Sequence, residues 1–153
     1  MVPTADSFLT SLSKFAADEG LPPAAGRMLG WLLLRSGPSS LDEVAEGLRI
    51  SKSAASDQGR LLARLGVVEV RRHPGDRRDF YEASDRLCER LLENFLVRME
   101  ALGRHLGEGA QVASADTGAQ RRLASARGQN QEITGHLRGF LTSVREREGS
   151  SNG

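Results

Sequence analysis

The chain has 153 residues, of which 39% are hydrophobic and 27% charged. That suffices for one domain with a helical extension and leaves little room for a large enzyme cleft. A single cysteine, Cys88, excludes an intramolecular disulfide. The N-terminus bears Asp6 and no early basic cluster, and the longest apolar run, near Trp31 to Leu34, is far too short to span a bilayer. A cytoplasmic address without a signal peptide is therefore expected.

The net charge of +1 conceals a pattern. Met1 to Leu48 carries three basic and six acidic side chains, Arg49 to Arg78 eight and three, and Asp79 onward ten and eleven. One short segment thus holds the excess positive charge, as a polyanion partner requires. The competing reading is a solvated, Arg-rich surface.

In chain order, Phe8, Leu9, Leu12 and Phe15 recur at helical spacing between Thr4 and Asp18, with Thr4 or Asp6 as cap and Gly20 as terminator. Pro22–Pro23 opens a largely buried helix, Ala24 to Arg35, that Gly37–Pro38 stops. Ser39 or Ser40 caps a short helix, Leu41 to Leu48, with Asp42 and Glu43 in its first turn. After the tight connection Gly47–Leu48–Arg49–Ile50, Ser51 caps a third helix reaching about Leu65, closed by Gly66. The period then changes to that of strands: Val67, Val68 and Val70, a turn at His73–Pro74–Gly75–Asp76, and a return strand from Asp79 to Glu82. Ser84 or Asp85 caps a long helix through about Leu106, interrupted at Gly107 to Gly109. Asp116 or Thr117 starts a last helix to about Arg147, and a disordered tail follows from Gly149 to Gly153.

Three helices followed by a hairpin with a basic tip is the order of a winged helix-turn-helix. The expected fold is mainly α with a small β-hairpin, flanked by N- and C-terminal dimerisation helices. The expected division is 1–20 as an N-terminal dimerisation helix, 21–83 as the DNA-binding domain, 84–148 as a C-terminal helical dimerisation region and 149–153 as the tail.

On the third helix Ala55, Gly59, Leu62 and Leu65 share an inward face, leaving Lys52, Ser53, Ser56, Asp57 and Arg60 on the other side. A helix presented in this way suits the major groove, and Ser51, a cap first, also offers amides to a phosphate. Asp57 either accepts from cytosine or pairs with Arg60 at i,i+3. Gly59 in mid-helix points to close helix packing. Arg71, Arg72, His73, Arg77 and Arg78 surround the Pro-Gly turn, where arginines enter a minor groove or clamp phosphates. The alternative is a charged hairpin that only protects its strand edges.

The segment Gly20–Leu21–Pro22–Pro23–Ala24–Ala25–Gly26–Arg27, then Leu41 to Ala45, Ser51 to Ser56, Gly66–Val67–Val68 and the Arg-rich turn before Tyr81 resemble the MarR superfamily, nearest its GbsR-like branch. The likeness covers roughly Phe8 to Phe95. It implies a transcription regulator whose helix after Ser51 reads the major groove while Arg77 and Arg78 sit at or beyond the wing tip. The branch usually has glycine and asparagine where this chain has Ser53 and Ala54, and a larger apolar residue at Gly59.

The long helix has more apolar surface than a three-helix core covers, and pairing with a second copy buries it. Phe8, Leu12, Phe15, Leu91, Phe95, Met99, Leu102 and Leu106 are the expected dimer residues. Two reading heads one duplex turn apart then call for a near-palindromic operator on double-stranded DNA. The resemblance also implies a small-molecule effector, placed among Trp31, Phe95 and Met99, although side chains at such spacing are far more often core packing than ligand contacts.

Cys88 lies near Arg86 and Arg90, which leaves room for a redox thiol, but a buried, inert cysteine is the preferred expectation. His73, His105 and His136 have no metal-ligand spacing, no phosphate-cradling glycine motif occurs, and no nucleophile has an evident base. No metal, cofactor, membrane or enzyme activity is expected. The rival of another class is a winged-helix protein-interaction adaptor, whose basic strip need not form one continuous surface.

Overall fold

The computed structural model describes residues 2–113 and 115–151. The chain divides into two compact units, Met1–Arg90 and Leu91–Gly153.

The first unit begins with α1, Ala5–Asp18, held at its start by a reciprocal capping box in which Thr4 and Ser7 satisfy each other's backbone. Leu9 and Ala16 are its buried positions. Its partner, α2 (Pro23–Leu33), is nearly all core: Met28, Leu29, Trp31 and Leu32 are buried. Glycine makes the close approach of these helices feasible. A Cβ on Gly26 would stand 2.0 Å from the Leu12 carbonyl oxygen. The second helix ends at Leu33, two residues short of the expected Arg35, because backbone bonds from Leu34 and Arg35 close back onto Trp31 and Leu32.

A strand invisible to sequence periodicity follows. Residues Ser39–Ser40 form β1, which pairs through Ser39–Tyr81 and Ser40–Phe80 with β3 (Asp79–Ala83), itself the partner of β2 (Val68–Arg72). The sheet has three strands rather than the expected two, in the order β1-β3-β2. Two serines carry no alternation to read, and only their burial reveals the role. Ser40 also caps α3 (Leu41–Leu48) in a second capping box with Glu43. The Gly47 backbone lies under the Trp31 ring, with no room for a side chain.

The chain then turns through Arg49, which adopts the left-handed conformation (φ 56°, ψ 47°) while Ile50 N–H donates to the Ala45 carbonyl. Helix α4, Lys52–Arg64, starts at Ser51 and buries Ala55, Gly59 and Leu62. Gly66, at φ 74°, releases the chain into β2 (Val68–Arg72), which pairs antiparallel with β3 (Asp79–Ala83). Tyr81 of β3 is buried on Gly59, where an added Cβ would meet its ring at 2.6 Å. Close packing does explain Gly59, but its partner is the wing strand and not a helix.

The last helices are longer than the sequence suggests. Helix α5 spans Leu87–Val112 without the expected break at Gly107 to Gly109. Each glycine costs about 1 kcal/mol in a helix, and packing offsets this at Gly109, which lies against Leu123. Helix α6 spans Thr117–Ser151, so the tail expected to be disordered from Gly149 is helical as far as it is described; Asn152 and Gly153 lie outside the described residues. Ser150 Oγ donates to the Glu146 carbonyl within that turn.

Within the second unit, side chains join α5 to α6. Asn130 Nδ2 donates to the Met99 carbonyl at 2.7 Å, Arg138 pairs with Glu100, and Arg145 with Glu93. Leu96 and Leu141 are buried, whereas Phe95, Val97, Leu102, Ile133 and Phe140 remain exposed. No helix of the described residues is long and apolar enough to cross a membrane.

Candidate nucleic-acid interface

The buried face of α4 dictates what its other face presents. With Ala55, Gly59 and Leu62 turned inward, Lys52, Ser53, Asp57 and Arg60 are exposed and Ser56 is half-buried. Ser51 caps the helix by accepting from Ala54 N–H at 3.1 Å, and its hydroxyl lies 3.1 Å from that of Ser53.

The basic groups of this face are held by their own chain. Lys52 pairs with Asp42, from the first turn of α3. Arg60 pairs with Asp57 one turn back and donates to Ser56 Oγ at 3.2 Å, which selects the i,i+3 option for Asp57 in the free protein. These groups are mostly exposed, so each pair stabilises the fold by at most about 1 kcal/mol. Their effect is orientation.

The same pattern runs along the wing. Arg71 meets Glu82 at 2.8 Å and Glu69 at 3.3 Å, and Arg72 meets Asp79 at 2.8 Å. Arg78 meets Asp76 at 2.7 Å through its guanidinium and donates its backbone N–H to the same carboxylate. Those bonds hold Asp76 down to about 2, from 3.8. Arg72 and Arg78 are in turn raised by bonding to Asp79 and Asp76. His73 packs edge-on against Phe80, ring centres 4.6 Å apart, and Arg78 lies over the same ring. Arg77 alone of the wing arginines has no carboxylate partner among the described residues.

Reading helix and wing share one electrostatic neighbourhood. Asp42, which holds Lys52, also raises Arg78 together with Glu43, and the field of Arg60 is felt at Tyr81. Lys52 of α4 and Arg78 of the wing are therefore brought near a common carboxylate, Asp42.

Two contributors escaped the sequence reading. Asp42 was legible only as a helix-dipole charge, since a ten-residue spacing gives no sign of its bond to Lys52. Arg49 is exposed, has no partner among the described residues, and stands two residues before the Ser51 cap. Its signal was a non-glycine residue at a helix-ending position.

The other expected sites are scattered. Trp31 is buried against Gly47 with the Arg35 guanidinium 4.3 Å from its ring centre, whereas Phe95 and Met99 belong to the second unit. Phe8 and Leu12 are half-buried on α1 and Phe15 is exposed; Leu91, Met99 and Leu106 are half-buried and Phe95 and Leu102 exposed on α5. Cys88 is exposed.

Residues 19–79 match the family model described as MarR family. Over these residues the chain is similar to MarR-family proteins, and its fold there is a winged helix-turn-helix. The HTH-type transcriptional regulator MmpR5 of Mycobacterium tuberculosis is 32% identical over 75 residues, covering 48% of this chain and 46% of that protein. The chain thus matches about half the length of this curated relative. A solved structure of a transcriptional regulator superposes with a TM-score of 0.81 at 23% identity, covering 94% of this chain and 99% of that one, and shows the fold.

Proposed function

We propose that this protein is a non-catalytic, sequence-specific DNA-binding transcriptional regulator that acts as a homodimer on a near-palindromic operator. The N-terminal half of α4 enters the major groove and the wing reaches the minor groove or the flanking phosphates. One observation carries the reading: Lys52 of α4 is paired with Asp42, whose charge also acts on Arg78 of the wing, so the helix and the wing present basic groups around one carboxylate on the first unit. An adaptor has no need of that continuity. Within this proposal, the order of motifs in the sequence supports a likeness to the GbsR-like branch.

Two features support the dimer. Phe95, Val97 and Leu102 on α5 and Ile133 and Phe140 on α6 leave apolar surface that the chain itself does not cover. Gly128, Gly135 and Gly139 have nothing within 4 Å of where a Cβ would stand, so a second backbone can approach α6 closely. Release by a small molecule belongs to the same proposal. Because Trp31 serves the core, that part rests on Phe95 and Met99, one turn apart on α5.

The test is selection from a randomised duplex library at near-physiological salt. An enriched inverted repeat, bound by two chains and lost on exchanging Lys52 and Arg60 for alanine, is expected. Retention without enrichment, fading uniformly with salt, would favour the adaptor. Effector release is checked by displacement of that duplex across a metabolite panel, with F95A and M99A as controls; no response from any compound removes it.

A further inference from the structure

The α5–α6 hairpin holds a cluster of charge that DNA reading does not use. A cavity of about 370 Å³ opens between Glu100, Gly103 and Arg104 of α5 and Arg127, Asn130 and Arg138 of α6. Its volume lies within the range of small-molecule sites. At the roughly 30 Å³ that a water molecule claims, it admits about a dozen non-hydrogen atoms.

Every side chain that lines the cavity ends in a polar or charged group. Asn130 and Thr134, also at the cavity, are buried polar residues, 6% and 5% exposed. Asn130 spends its amide N–H on the Met99 carbonyl, and Thr134 Oγ1 donates to the Asn130 carbonyl at 2.9 Å. Gly103 contributes only backbone: a Cβ there would stand 2.4 Å from Asn130 Oδ1.

The charge is one-sided. Glu100 is committed to Arg138, which donates to a single carboxylate oxygen through Nε at 2.9 Å and Nη2 at 2.7 Å. Arg104 and Arg127 line the same cavity from different helices, and neither has a carboxylate partner among the described residues. Two unbalanced guanidinium groups across one concave space repel until an anion enters between them. Their planar forks match carboxylate and phosphate oxygens.

We infer that this cavity binds a small polyanion, a di- or tricarboxylate or a phosphate monoester, between Arg104 and Arg127, with Arg138 at its edge. The inference is independent of the DNA reading, because binding is measured without DNA. The full chain is titrated calorimetrically with citrate and, separately, with inorganic phosphate, sodium chloride holding the ionic strength constant.

One saturable site per chain with a Kd below about 1 mM is expected for at least one anion, and whichever binds more tightly identifies the oxygen chemistry. R104Q and R127Q each weaken it at least tenfold, R127K less. E100Q, which frees Arg138, tightens it severalfold. R122Q, an exposed α6 arginine outside the cavity, changes nothing. All four positions carry solvent-facing or half-buried charge, so unaltered circular dichroism is required of each variant. No saturable binding by either anion, or equal weakening by R122Q, overturns the inference.

Discussion

Replacing Arg49 by glycine is expected to make the reading unit more stable. Arg49 is the one non-glycine residue with a positive φ among the described residues, and it ends α3 in the left-handed region. A Cβ in that conformation costs about 1–2 kcal/mol, part of which the turn's two closing hydrogen bonds leave unrelieved. Glycine removes the strain but enlarges the unfolded ensemble, at about 0.4–1 kcal/mol. The balance is a gain of about 0.5–1 kcal/mol. With a urea m-value of about 1.5 kcal/mol/M, the midpoint rises by about 0.3–0.7 M. Trp31, the single tryptophan, is buried in this unit and reports the transition by fluorescence. R49A keeps the Cβ and the strain, so its midpoint stays within about 0.5 kcal/mol of the parent. A midpoint for R49G at or below that of R49A would refute the argument, because relief of the left-handed Cβ is claimed to outweigh the larger unfolded ensemble of glycine. Both variants also remove an unpaired cation beside the reading helix, so under the proposed function both flatten the salt dependence of operator binding by up to about 0.9 in log–log slope.

Three further outcomes follow from the same geometry. G59A places a Cβ 2.6 Å from the Tyr81 ring; despite the better helix former, overpacking lowers stability by about 1–2 kcal/mol, read from the urea midpoint. D42N frees Lys52, so affinity for random duplex rises about two- to fivefold with a steeper salt slope, measured by fluorescence anisotropy. Asp76 is depressed to about 2, so its pairing with Arg78 is complete above its unfolded value of 3.8 and is lost as the pH falls through about 2. In a carboxyl-detected NMR titration R78Q moves that midpoint back toward 3.8, and an unmoved midpoint contradicts the pairing.

How far the sequence could be read depended on whether an element was specified locally. The α3 start at Ser40 and the α4 start at Ser51 were legible because a cap and an apolar stripe coincide within four residues. The inward face of α4 followed from spacing alone, and its outward face followed from that. Long-range pairings were not legible. β1 has no pattern of its own and exists because β3 offers it an edge. Gly59 looked like a helix defect, yet it is a seat for Tyr81, twenty-two residues away. The continuity of α5 through Gly107 and Gly109 was misjudged for the same reason: propensity is local, and the contact with Leu123 that offsets it is not.

The least visible property in the sequence is the most consequential for recognition. Segment charge alone suggests a strongly cationic reading surface, but five of its basic groups, Lys52, Arg60, Arg71, Arg72 and Arg78, already hold carboxylates of the same chain. On the proposed reading each must exchange a carboxylate for a phosphate or a base edge, and the displaced acid then faces a polyanion. Such an exchange gains little on arbitrary DNA, where a phosphate only replaces the lost partner. It gains where a base donor, such as the cytosine amino group, also satisfies the displaced carboxylate. Arg77 and Arg49, which hold no acid, are left to supply the sequence-independent attraction. The internal pairs therefore lower the affinity for arbitrary DNA, whereas at a site whose base donors satisfy the displaced carboxylates that cost is recovered, which widens the ratio between them.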